Sequence, residues 1–163
     1  MTSDTTNLWD IKTRIKDVLI ADNTTKVDFR DGVNIRVGLP DNMQFKGLTY
    51  PIIFITNDRE LMRAKPFAPV TSNVQTLSEH TDSFRLIIMQ IAKDAAAVEE
   101  SLDGLQKDVM DALRDNFDLR DSDGNNPLVT ESQFAKVDNF AIGSLEGKSL
   151  DGRILKFMVR EIS

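Results

Sequence analysis

Phe84–Asn116, FRLIIMQIAKDAAAVEESLDGLQKDVMDALRDN, is the stretch from which the fold can be read. It opens with Phe84, Leu86, Ile87, Ile88, Met89 and Ile91, a run too short for a buried helix and rich in strand formers. The apolar residues fall on both alternating faces, as in a central strand covered on each side. Asp94 then reads as an N-cap, and the period changes at once. Ala95, Val98, Leu102, Leu105, Val109, Ala112 and Leu113 recur at helical steps and line one side of a helix. Glu99, Glu100, Asp103, Lys107, Asp108 and Asp111 take the remaining, solvated side. Gly104 inside this helix costs about 1 kcal/mol against Ala, so it marks either a close contact or a weak point. Asn116 is the expected stop, because Asn tolerates the left-handed geometry of that position. No catalytic motif sits on the strand or the helix.

Toward the N-terminus, Met1–Thr6 is a polar lead-in, and Asn7 can cap a helix with Leu8, Ile11, Ile15, Val18 and Leu19 on one stripe. Asp10 adds favourable charge at its positive end, and the helix is expected to stop around Asp22–Thr24. Trp9 lies off the stripe, either packed under a neighbouring loop or turned toward a partner. In Phe29–Leu39, Val33, Ile35, Val37 and Leu39 alternate with Asn34, Arg36 and Gly38, which predicts a half-exposed strand. The turn-rich Pro40–Gly47 leads into a second apolar run, Tyr50–Ile55, with Pro51 at its entrance. These two strands could form a hairpin. Asn57–Asp82 is a long loop carrying Pro66, Pro69 and scattered Leu61, Phe67 and Leu77; loops of this length are usually functional or disordered. It reads as a disordered insertion or as a segment that orders on a neighbouring subunit.

After the helix, Asp118–Glu131 is a polar loop with Asp-Gly and Asn-Pro turn signals. Phe134–Leu145 is an irregular strand whose alternation breaks once, at a bulge. EGKSLDG makes a turn, and Ile154–Ile162 is a closing strand with Leu155, Phe157 and Val159 on one face and Lys156, Met158 and Arg160 on the other. The expected architecture is α+β: a mostly antiparallel sheet of four to five strands packed with one long central helix and an N-terminal helix.

The 163 residues suit a single domain over residues 1–163, with 40% hydrophobic and 28% charged residues. A net charge of −6 argues against a nucleic-acid-binding surface, which needs clustered Lys and Arg, and is compatible with DNA sliding past without binding. The chain has no cysteine, which excludes disulfides, Cys-ligated zinc and thiol catalysis. No secretory leader and no run of membrane-spanning length is evident, so a cytoplasmic place of synthesis and no membrane partner are expected.

Two motifs nearly form. Gly143–Ser149, GSLEGKS, has three residues between its glycines where a phosphate-binding loop needs four, and it lies between two strands, so a turn is expected. Asp121, Asp123 and Gly124 match part of a calcium loop, but Leu119 and Thr130 stand where its first and last acidic ligands belong. His80, the only histidine, has no Cys, second His or Ser–Asp pair to work with and reads as a surface or strand-edge residue. No catalytic residue, metal ligand or cofactor contact is expected.

The whole layout resembles the tail terminator (tail completion) proteins of long-tailed bacteriophages and related archaeal viruses. The likeness runs from Leu8 to Ile162: helix LWDIKTRIKDVLIAD, strand YPIIFI after a proline, a long loop, strand FRLIIMQIAKD, helix AVEESLDGLQKDVMDALRDN, then NFAIGSL and RILKFMVREI around EGKSLDG. The resemblance implies a non-enzymatic virion protein at the head-proximal end of the tail, assembled in the host cytoplasm. It would form a homohexameric ring on the tail tube protein, stop its growth and offer a face to a head-completion or connector protein, with DNA passing through the lumen. Leu61, Phe67 and Leu77 in the loop, with Trp9, are then the expected partner contacts. A neck or head-closure protein and a ligand-binding α+β adaptor are the alternatives, with a hydrolase of scattered residues a third.

Overall fold

The computed structural model describes residues 8–40, 47–58, 79–120 and 127–162, without the side chains of 79, 80, 140–142, 161 and 162. In chain order these hold α1 (Leu8–Ala21), α2 (Asn23–Asp28), β1 (Ile35–Val37), β2 (Ile52–Asn57), β3 (Glu79–Ala92), α3 (Ala95–Asp115), β4 (Glu131–Leu145) and β5 (Lys148–Ile162). The strands form one five-stranded sheet in the order β1-β2-β3-β5-β4.

The α+β class holds, with two corrections. The first concerns strand direction. β1 runs parallel to β2, Ile35 opposite Ile53, while β2–β3, β3–β5 and β5–β4 are antiparallel. The sheet is therefore mixed rather than mostly antiparallel, and the expected hairpin between the first two strands does not exist. Parallel neighbours need a connection of about a dozen residues, and the long segment between Val37 and Ile52 supplies it. The second concerns helices: α2 joins the two expected ones, capped by Asp22, whose carboxylate accepts the Thr25 N–H at 3.0 Å.

The predicted strand over Phe29–Leu39 shrinks to three residues. Arg30, Asp31 and Gly32 all have positive φ, which no strand accommodates, so the chain turns before β1. Val33 is consequently 70% exposed, whereas Asn34 is fully buried. The Asn34 amide donates to the carbonyls of Thr49 at 3.0 Å and Pro51 at 2.9 Å, fastening the approach to β2.

β3 matches its sequence pattern on both faces. Phe84, Leu86 and Ile88 point into the helix-covered core with Ile53, Leu155 and Phe157, while Ile87 and Met89 join Ile52, Phe54 and Leu150 on the opposite face. Full burial of each such side chain contributes about 1.5–3 kcal/mol. β3 starts at Glu79, earlier than the apolar run, because β5 pairs with it from Glu79 to Ala92. β5 alternates as expected, with Leu155, Phe157 and Val159 buried.

On α3 the Asp94 carboxylate accepts the Ala97 N–H at 2.8 Å, and Val98, Leu102, Leu105, Val109, Ala112 and Leu113 are buried; Ala95 is exposed. Gly104 meets nothing within 4 Å of where a Cβ would stand, so it is a weak point and not a close contact. Asn116 ends the helix by another route than expected: φ is −127° and its amide donates to the Ala112 carbonyl at 2.9 Å. The left-handed residue is Leu119, whose carbonyl accepts from Arg14 at 2.8 Å and so ties this corner to α1. β4 carries two register shifts, at Phe134/Lys136 and Ala141/Gly143, where one break was expected.

Candidate functional surface

The face of the sheet away from the helices carries a charged group beside its apolar cluster. Asp58, just past β2, is fully buried. Its carboxylate lies 3.3 Å from Arg85 Nε and 4.0 Å from Lys156 Nζ, and accepts from Ser83 Oγ at 3.3 Å. Arg85 and Lys156 are brought together because they are opposite each other in the β3–β5 pairing. The Asp58 N–H donates to the Ser83 carbonyl at 3.0 Å, extending the ladder by one bond. One carboxylate thus holds two adjacent cations and clamps the exit of β2 onto β3. This is a positioning device.

Beside the clamp lies an open cleft of about 390 Å³ lined by Lys12, Leu39, Thr56, Asn57, Arg85 and Ile87. A second, of about 240 Å³, lies between α3 and the β4–β5 hairpin and contains Glu99, Asn139, Asp151 and Arg153. Arg153 is engaged by Asp103 at 2.6 Å and by Gln106 at 2.7 Å, so it braces α3 on β5. Among the described residues, neither cleft joins a nucleophile to a base. Among the described residues, no group of three or more His, Cys, Asp or Glu could hold a metal ion, and no helix is long and apolar enough to cross a membrane.

The acidic side of α3 meets a carboxyl of α2 at one point. Asp28 on α2 is raised from 3.8 to about 7, first by burial, then by its hydrogen bond with Asp108 and by repulsion from Asp108 and Asp22. This contact lies outside both clefts.

Of the expected partner contacts, Leu61, Phe67 and Leu77 lie outside the described residues, as does most of the loop that carries them. Trp9 is not packed under a loop; it is 57% exposed, with Lys12 Nζ 5.3 Å from its ring centre. His80 falls within β3, opposite Glu161. Gly143–Ser149 is the end of a hairpin: β4 stops at Leu145, Glu146 and Gly147 turn with φ of 53° and 79°, and β5 begins at Lys148. Asp121, Asp123 and Gly124 are outside the described residues.

Sequence reasoning missed the Asp58 clamp and the Asp28–Asp108 pair. Both join residues distant in the chain, and Asp58 sat inside what read as loop. The one usable signal was the fully apolar Ile52–Ile55 run, which ends in polar residues that must meet a partner on β3.

With sheet order, helix placement and surface in view, the solved structures give a comparison. The fold is similar to that of a chain in a virion. That chain belongs to the "Virion of native gene transfer agent (GTA) particle"; the TM-score is 0.54 at 12% identity, over 94% of this chain and 95% of that one. No protein-family profile matches the sequence, and no curated protein matches it. At such low identity the likeness concerns the fold alone. Its coverage is nearly end to end in both chains, so the shared architecture includes the helical layer and the sheet together.

Proposed function

We propose that this protein is a structural, non-enzymatic component of a virion: a tail terminator that closes as a hexameric ring on the head-proximal end of a tail tube. The observation that carries this reading is the end-to-end likeness to a chain of a virion particle. It is joined by the order of elements from Leu8 to Ile162 that the tail terminators share. In this reading one axial face of the ring meets the last ring of tube protein and stops its polymerisation, and the other receives a head-completion or connector protein. Partner contact falls to the segment between β2 and β3, with Leu61, Phe67 and Leu77, and to exposed Trp9. The net charge of −6 suits a passage through which DNA moves without being held, since like charges repel. Assembly takes place in the host cytoplasm.

The test is removal of this gene from the genome that produces the particle, followed by negative-stain imaging. Tails of irregular, excessive length, free of heads, are expected. Tails of normal length that fail to join heads would assign the chain to the neck instead, and normal joined particles would refute a virion role at this junction.

A further inference from the structure

Asp28, the last residue of α2, differs from Asp58 in its surroundings. Asp58 is met by Arg85, Lys156 and the Ser83 hydroxyl. Asp28 has a buried Oδ2 that no hydrogen-bond donor reaches. The charges acting on it are Asp108, from α3, and Asp22, from the junction of α1 and α2; no lysine or arginine is among them. Cations of the elements around it are engaged elsewhere. Lys107 on α3 holds Asp111 at 2.7 Å, and Arg14 on α1 donates to the Leu119 carbonyl at 2.8 Å. Arg30, just beyond α2, donates to the Tyr50 carbonyl at 3.4 Å, and Lys26 on α2 itself is exposed.

Protonated, Asp28 brings no charge into this contact. Ionised, it sets a second negative charge beside Asp108 and leaves a buried oxygen without a donor, a cost that contact with water removes. Burial and the two carboxyls hold its titration up at about 7, against an ordinary 3.8. α2 is also the element that can yield without disturbing the core. It is six residues long, packs on α1 and α3, and has Thr25 as its one buried side chain, whereas α3 buries six. Its ends are fixed separately: Asp22 caps the first turn, and the fully buried Phe29 follows the last. Residues 23–28 can therefore open between two anchors.

We propose that α2 is a proton-operated latch: it closes on α3 while Asp28 is protonated, and it opens locally, with α3 and the sheet unchanged, when Asp28 is charged. The latch belongs to the single subunit and is independent of the tail reading. Its hold is complete below about pH 4 and is lost as pH rises through 7. The three pH units between those limits set a ceiling of about a thousandfold on the change in opening, and water screening at a partly buried group brings this to about tenfold.

The test is amide hydrogen exchange, read by mass spectrometry on the full chain at pH 4 and pH 8, with each rate divided by that of the unstructured peptide. The N–H groups of Lys26 and Phe29, which donate to the carbonyls of Asp22 and Thr25 at 2.9 and 3.1 Å, report on α2. In the wild type their protection is expected to fall about tenfold further than that of α3 between the two pH values. In Asp28→Asn, which cannot ionise, α2 and α3 are expected to change together. A wild-type α2 that tracks α3 at both pH values would overturn the proposal, and that result needs no variant. The same extra loss in D28N would also overturn it, because another group would then be its source.

Discussion

Asp28→Asn should flatten part of the pH dependence of stability. Asp28 titrates at about 7 in the folded protein against 3.8 as an ordinary carboxyl, raised first by burial and then by Asp108. A folded pKa above the unfolded one means that this carboxyl's contribution is complete below about pH 4 and is lost as pH rises through 7. Three units at about 1.4 kcal/mol each set a ceiling of about 4 kcal/mol. Asp28 is only partly buried and screened by water, so about 1–2 kcal/mol is expected. Asparagine keeps the shape, can donate to Asp108 as the protonated carboxyl does, and cannot ionise. The variant should match the wild type near pH 4 and exceed it by that amount at pH 8, read from urea unfolding at both pH values. Comparing variant with wild type at each pH cancels the titration of the other carboxylates. A difference between D28N and wild type that is equal at pH 4 and pH 8 would refute the raised pKa of Asp28.

Asp58→Asn removes the counter-charge of Arg85 and Lys156 and should lower stability by about 3 kcal/mol, the lower end for breaking a buried pair because both cations keep some solvent contact. An unshifted urea midpoint would show that the clamp contributes nothing. Gly104→Ala, in open space on α3, should raise stability by about 1 kcal/mol and the melting temperature by about 2–4 °C in calorimetry. If that variant melts higher yet caps fewer tails, a partner's backbone approaches α3 there. Asp94→Ala deletes the cap of α3 and should cost about 1 kcal/mol, with Asp94→Ser recovering most of it. Phe157→Ala empties the centre of the helix-covered core beside Phe134, 5.0 Å away ring to ring, and should cost about 3–5 kcal/mol by denaturant melt.

Elements with a strong local period were legible in the sequence. α3 declared itself through its buried stripe and Asp94, and β5 through alternation at Leu155, Phe157 and Val159. Where tertiary partners decide, the sequence was silent or misleading. The polar residues His80, Thr81, Asp82 and Ser83 carry no strand signal, yet β5 recruits them into β3. Alternation around Val33 and Asn34 suggested the reverse of the real burial, because three left-handed residues rotate the chain just before β1. NTTKVD has no apolar period, and α2 exists through its Asp22 cap and a buried Thr25 whose hydroxyl reaches the Leu19 carbonyl. Of the candidate surface, Trp9 was singled out from the sequence, while Asp58 and Asp28 acquired their roles only when distant strands and helices met.

β3 runs for 14 residues, roughly 46 Å, toward the cap of α3, paired with β5 from Glu79 to Ala92 and with β2 from Phe84 to Met89. A tug at its first residue acts along the strand and loads many rungs at once, in shear, so little slack develops before the force arrives at Asp94. β4, tethered by one flank, would peel rung by rung under a sideways tug. The subunit is thus stiff along one direction and yielding in another, and a load-bearing joint built from it should be seated so that tension runs along β3.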